Sequence, residues 1–341
     1  MTGGAFDGFL AAGATRAGAL GGEIAELWDA LADAADGGAR MRPALVRIAY
    51  EALGGRAPGG ADEVAAAVEM LHQAFLMHDD VIDHDIVRRG RLNVAGTFLA
   101  RAVADDAPPA QGAAYSAAAG ILAGDLVLVG AYRQVMRAGA DARTTARLLD
   151  LFDEAVLETA AGELEDVRAS LGVDDLTEAD VLRTAERKTA AYSFSLPLRA
   201  GGLLAGAPDA ALGTLDRVGR NLGVAFQLRD DVLGVFGDEE AIGKSTLSDL
   251  REGKITALVL HARGTDLWAE LAPFVGNPHL TPAGAERARS LLVRCGSRGH
   301  VQRLVDRYVA AAREDAASLG LLGALDELLR VFATIDAGRA A

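Results

Sequence analysis

The chain has 341 residues and a formal net charge of −14. That acidity excludes nucleic acid and anionic membranes as partners held by bulk charge. A single cysteine, Cys295, excludes a disulfide framework and a cysteine-built zinc site, and is expected to be a buried small apolar residue. Half of the residues are hydrophobic but only 5% are aromatic, which favours helix over strand.

Met1 to Phe6 carries no basic stretch ahead of a long apolar run, so no signal peptide is expected. The longest apolar stretches, Ala117–Ala123 and Leu126–Ala131, are parted by Asp125. They fall short of the ~20 residues that a bilayer span needs. No membrane span is expected, and the expected location is cytoplasmic.

Helix then follows helix. Ala11–Ala34 is one amphipathic run, broken at Asp36-Gly37-Gly38, and Pro43 suits the first turn of the next helix. Ala61–Asp85 carries Val64, Val68, Leu71 and Phe75 at helical spacing. Ala104–Gly112, with Pro108 and Pro109, reads as a loop. Further helices are predicted over Ala113–Ala138, Ala142–Ser170, Glu178–Leu204, Ala210–Val235, Ile255–His261, Ala283–Cys295, Val301–Leu319 and Leu325–Ile335. Phe236–Gly253 and Leu271–Thr281 are predicted loops. No strand pattern of useful length appears, so residues 1–341 are predicted to form a single all-α domain.

Chemistry enters with Asp79, Asp80 and Asp83, a D-D-x-x-D run inside a predicted helix. At 100° per residue Asp79 and Asp83 lie about 40° apart on one face, where like charges repel. Among Leu76, Met77, Val81 and Ile82 the cluster needs a cation. Hard oxygen donors at an open site suit Mg²⁺, which takes substrate phosphates as further ligands. Arg88 and Arg89 follow within about two turns and suit clamping an anion. Arg40 and Arg42 stand upstream, and His72 is two turns before Asp79 on nearly the same face. A second acidic pair, Asp230-Asp231, shares a helix side with Gln227. Lys244 and Lys254 each follow a glycine, and Lys188 is beside Thr189. Taken singly, each of these residues is also an ordinary surface or core residue.

Their order resembles that of the trans-type (E-)polyprenyl diphosphate synthases, the farnesyl and geranylgeranyl diphosphate synthase family, and most of all its bacterial geranylgeranyl members. The resemblance runs from about Gly37 to Ala262. It rests on Gly-Gly-Ala-Arg-Met-Arg-Pro, Glu69-x-x-His72, His78-Asp-Asp-Val-Ile-Asp83, Arg88-Arg89-Gly90, Gly124-Asp125-Leu126 and Lys188-Thr189-x-x-Tyr192-Ser193-Phe194. Phe226-Gln227-Leu-Arg-Asp230-Asp231, Gly243-Lys244 and Asp249-x-x-x-Gly253-Lys254 complete it. The resemblance implies an isoprenoid-synthase type helical bundle around a deep central cavity, usually a homodimer, with two Asp-rich motifs facing each other across the cavity mouth. It implies that Asp79 and Asp83 hold two Mg²⁺ and Asp230 a third, with Asp80 and Asp231 in support. Arg88, Lys188, Lys244 and Lys254 would bind an allylic diphosphate, and Arg42, His72 and Arg89 isopentenyl diphosphate. The reaction implied is ionisation of the allylic diphosphate, attack by the isopentenyl double bond and loss of a proton to the departed diphosphate. Thr189, Gln227 and the Lys188 carbonyl would stabilise the cation, and a closing 236–254 loop would keep water out.

Family members set product length with bulky residues four and five places before the first Asp. Here these are Phe75 and Ala74, so one of two aromatic stops is absent and geranylgeranyl diphosphate is the expected product. Four departures stand out. Ala39 replaces the usual lysine of the first basic motif, Gly234 the last Asp of the second acidic motif, Leu92-Asn93-Val94-Ala95 the usual Pro-Thr-x-His, and Glu163 a common Gln. Two other functions stay open: a class I terpene cyclase-like enzyme and a non-catalytic partner subunit. The usual bacterial cyclase pattern Asn-x-x-x-Ser-x-x-x-Glu is not apparent near Asn221.

Overall fold

The computed structural model describes residues 3–35, 37, 40–56, 58–172, 175–237, 248–327 and 329–330. Ala39, Lys244 and most of the predicted Leu325–Ile335 helix lie outside the described residues. The chain divides into two compact units, one of Met1–Asp150 with Ala200–Gly206, the other of Leu151–Arg199 with Ala207–Ala341. The described residues are overwhelmingly helical, as expected.

The first unit contains α1 (Gly3–Leu20), α2 (Gly22–Ala35), α3 (Met41–Ala52), α4 (Pro58–Ile82), α5 (Val94–Ala104) and α6 (Pro109–Met136). The predicted run Ala11–Ala34 is in fact two helices. Gly21 and Gly22 have φ of 70° and 54°, a left-handed turn that stops α1. The indole of Trp28 then packs on α1 in the space left by Gly13, and its Nε1 donates to the Leu10 carbonyl at 2.8 Å.

Pro109 opens α6 instead of lying in a loop, because a proline in the first turn forfeits no helical hydrogen bond. By length and composition α6 could cross a membrane, contrary to the expectation that Asp125 divides it. In this unit it packs along α4 and α5, and 39% of its most apolar window is buried.

The only strands among the described residues are β1 (Val87–Arg88) and β2 (Arg91–Leu92), an antiparallel hairpin that the sequence did not reveal. Two-residue strands carry no readable alternation. The turn residues Arg89 and Gly90 have φ of 54° and 72°, the left-handed pair that a two-residue hairpin turn requires.

The second unit takes α7 (Ala142–Ser170) from Leu151 onward, then α8 (Glu178–Ala185) and a π-helical segment (Glu186–Ser195) leading into α9 (Leu196–Leu204), of which it keeps the part up to Arg199. There follow α10 (Asp209–Phe236), α11 (Ser248–Glu252), α12 (Ala257–Arg263), α13 (Trp268–Leu271), a 3₁₀ turn (Ala272–Phe274), α14 (Pro282–Arg294) and α15 (Ser297–Ser318). The predicted loop Phe236–Gly253 therefore contains a short helix, and the predicted helix Glu178–Leu204 is wound as π over its middle.

α10 lies against both the π segment and α15. A Cβ at Gly219 would stand 2.4 Å from Ser195 Cα, and one at Gly223 2.4 Å from Ala190 Cα, so the two glycines allow backbone to meet backbone. Leu228, Leu258, Leu291 and Val301 are almost wholly buried beside this contact, each worth roughly 1.5–3 kcal/mol. Cys295 is half-buried, not buried, because it caps the end of α14; its Sγ lies 3.0 Å from Ser297 Oγ.

Candidate active site

In the first unit the acidic motif ends α4. The Asp83 N–H donates to the Asp79 carbonyl at 2.8 Å, so the last turn stays helical through Asp83 and keeps both carboxylates on one face. They sit where the helix dipole is negative, which adds to their need for a cation. Asp79 is half-buried and Asp83 exposed. Asp80 differs: it is 4% exposed and accepts from Arg88 Nε at 2.8 Å. Burial raises its pKa, against the pull of Arg88. The hairpin delivers Arg88 to this pair.

His72, one helical face along α4, is buried. Burial, then the charges of Arg42, Arg89 and Arg88, holds its imidazole well below the usual histidine range. The ring is therefore neutral near pH 7 within a group of three arginines. Ala74 is fully buried and Phe75 half-buried. Ala74 lies one turn before His78, whose Nε2 is 3.2 Å from the Ile121 carbonyl, so Ala74 is on the α6 side of α4.

In the second unit three expected residues form one chain. Thr189 Oγ1 donates to Gln227 Oε1 at 2.7 Å, and Gln227 Nε2 donates to Asp231 Oδ1 at 2.9 Å. Gln227 and Asp231 are one turn apart on α10, with Thr189 on the π segment. Burial pushes Asp231 up to about 7, opposed by the Gln227 hydrogen bond. Asp230, beside it, is exposed.

Lys188 Nζ lies 2.6 Å from Asp166 Oδ2 and 2.9 Å from Glu163 Oε2. Gly162 makes this possible, since a Cβ there would stand 2.3 Å from the Lys188 backbone nitrogen. Lys254 is held above its ordinary value: burial opposes this, but Asp249 and Asp166 outweigh it. Sequence reasoning assigned no role to Glu163, Asp166 or Asp249. A signal for the cations was present: only three of the 34 basic residues are lysines, and they are Lys188, Lys244 and Lys254.

Two departures from the family pattern have local explanations. Asn93 caps α5, its Oδ1 accepting from the Gly96 N–H at 2.7 Å while its Nδ2 donates to the Asp85 carbonyl at 2.8 Å. Asn and Thr both serve in that role, Asn the better of the two. At Gly234 a Cβ would stand 2.4 Å from Asp249 Oδ2, so a carboxylate from α11 lies where the motif lacks one.

Among the described residues no three His, Cys, Asp or Glu side chains converge as a closed metal cage. Oxygen-only donors in pairs still fit Mg²⁺, which is commonly held by one or two carboxylates plus substrate phosphates.

Residues 24–271 match the family model described as polyprenyl synthetase. The chain is 34% identical over 244 residues to the geranylgeranyl diphosphate synthase of Sulfolobus acidocaldarius, covering 71% of this chain and 68% of that protein. It is 34% identical over 291 residues to the geranylgeranyl diphosphate synthase of Mycobacterium tuberculosis, covering 84% and 77%. The crystal structure of geranylgeranyl pyrophosphate synthase from Corynebacterium glutamicum, complexed with isoprenyl diphosphate and magnesium, aligns with a TM-score of 0.88 at 25% identity, covering 96% of this chain and 95% of that one. A family match over so much of the sequence means that the chain belongs to the polyprenyl synthetase family and is a prenyltransferase that lengthens prenyl diphosphates.

Proposed function

We propose that the chain condenses isopentenyl diphosphate with an allylic diphosphate and releases geranylgeranyl diphosphate. The observation that carries this over a cyclase is the His72 group. Arg42 and Arg89, whose charges act on the neutral imidazole, would make an anion site additional to Arg88, which pairs with Asp80 of the acidic motif. An enzyme that ionises and cyclises one diphosphate needs no second anion site, whereas one that joins two diphosphates does.

Asp79 and Asp83 would hold two Mg²⁺ and Asp230 a third, and residues 1–341 would serve the reaction as one domain. Bound there, Mg²⁺ neutralises diphosphate charge and so makes it able to leave. Arg88, Lys188, Lys244 and Lys254 would add positive charge to the allylic diphosphate. Gln227 is oriented by its partners: Asp231 accepts from the amide NH₂, which turns the carbonyl oxygen towards Thr189. Thr189 and Gln227 thus offer fixed oxygen dipoles to an allylic cation. The departing diphosphate takes the proton that isopentenyl diphosphate loses.

The protein would act in the cytoplasm as a homodimer. Leu122, Val129 and Met136 recur every seven residues on α6 and are 55%, 60% and 61% exposed, an apolar stripe that suits a second copy.

Asp79→Ala and Asp230→Ala should each lower turnover by orders of magnitude with the melting temperature retained, since each removes a metal ligand and relieves like-charge repulsion. Near-normal turnover in either folded variant would overturn the metal assignment.

A further inference from the structure

Gly124-Asp125 belongs to the family resemblance, yet nothing in the proposed chemistry uses it. In the first unit α6 passes α4 at two glycines spaced one turn apart. A Cβ at Gly120 would stand 2.4 Å from Val81 Cγ2. A Cβ at Gly124 would stand 2.2 Å from His78 Nε2, and its three nearest atoms all belong to the His78 ring. The imidazole therefore fills the space that Gly124 leaves. Its Nε2 lies 3.2 Å from the Ile121 carbonyl oxygen and 3.4 Å from Asp125 Oδ1. Both neighbours accept hydrogen bonds, so Nε2 carries the proton and donates.

We propose that His78 is a positioning residue for the Asp79 and Asp83 carboxylates, fixed on α6 by the gap at Gly124. This rests on the reading of Asp79 and Asp83 as metal ligands. His78 precedes Asp79 directly on α4, which ends at Ile82. A helix end is free to fray unless something holds it. Anchoring the ring to the Ile121 carbonyl and Asp125 fixes the rotation of the final turn. That in turn fixes where Asp79 and Asp83 point, at a place where like charges otherwise drive them apart.

Gly124→Ala tests this cleanly. It leaves every acidic residue in place and installs a better helix former. The atoms it displaces are the far end of one side chain. Mn²⁺ binding in the presence of inorganic diphosphate, read by electron paramagnetic resonance, should weaken several-fold in Gly124→Ala and in His78→Ala. The Mg²⁺ concentration giving half-maximal turnover should rise by a similar factor, and the melting temperature of Gly124→Ala should not fall. In Gly124→Ala with His78→Ala the two losses should not add, because both remove the same anchor. His78→Gln, which keeps a donor at similar reach, should recover most of the affinity.

Unchanged Mn²⁺ affinity in Gly124→Ala, or losses that add in the double variant, would overturn the proposal. Asp79→Ala separates the two levels. Weakened binding there, with none in Gly124→Ala, refutes the role of His78 alone. Unweakened binding in Asp79→Ala refutes the metal reading beneath it.

Discussion

The carboxylate of Asp249 occupies the space beside Gly234: a Cβ on Gly234 would lie 2.4 Å from Asp249 Oδ2. Asp249 also pushes up the pKa values of both Asp231 and Lys254, so its charge is felt throughout this part of the second unit. The acidic motif that ends in glycine thus has the Asp249 carboxylate of α11 close beside its last position.

Restoring the family residue should therefore do harm. Gly234→Asp places a second carboxylate against Asp249, and the like charges repel. Turnover should fall and the Mg²⁺ requirement rise. Combining Gly234→Asp with Asp249→Gly should recover part of the loss. Steady-state kinetics across a Mg²⁺ titration decide this; wild-type behaviour in Gly234→Asp would refute it.

Product length should respond to Ala74 and Phe75 in opposite directions. Ala74→Phe should shorten the product towards farnesyl diphosphate. Because Ala74 is fully buried, it should also cost about 1–3 kcal/mol of stability through overpacking. Phe75→Ala should lengthen the product. Chromatography of the reaction products reads both, and an unchanged profile in both variants would place the floor of the pocket elsewhere.

The raised Asp231 gives a pH effect of definite sign. Its folded pKa, about 7, exceeds the ordinary aspartate value of 3.8, so between these values the folded chain binds the proton more tightly than the unfolded chain does. Its contribution to stability is present at low pH and is lost as pH rises through 7. With metal removed by a chelator, Asp231→Asn should gain melting temperature relative to wild type on going from about pH 5.5 to about pH 8. A difference that does not change with pH would contradict this.

Ala39→Lys should lower the KM for isopentenyl diphosphate several-fold, with less effect on the allylic substrate. The Arg40 guanidinium lies 6.0 Å from the centre of the Phe6 ring, and its buried Nη1 has no hydrogen-bond partner. The cations acting on His72 are Arg42, Arg89 and Arg88. Adding a charge-assisted hydrogen bond is worth about 1.5–3 kcal/mol. An unchanged or raised KM would mean that another group already fills the gap.

Much of the site could be read from spacing. Asp79 with Asp83, and Gln227 with Asp231, are one helical turn apart, so periodicity alone places each pair on one face. Asp80 was harder, because whether it meets metal or arginine depends on a hairpin of two-residue strands that brings Arg88 to it. The π winding over Lys188 and Thr189 left no composition signal, and the Glu178–Leu204 run reads as plain helix. Asp249 beside Gly234 joins α11 to α10, a tertiary approach that no local pattern encodes. The Gly21-Gly22 break does leave a signal, two adjacent glycines, inside an otherwise continuous helical run.

The most direct measurement is product analysis with isopentenyl diphosphate and Mg²⁺ plus dimethylallyl, geranyl or farnesyl diphosphate in turn. Geranylgeranyl diphosphate as the main product from at least one of these primers is the expected result. A cyclised hydrocarbon formed without consumption of isopentenyl diphosphate, or no product from any primer, would contradict it.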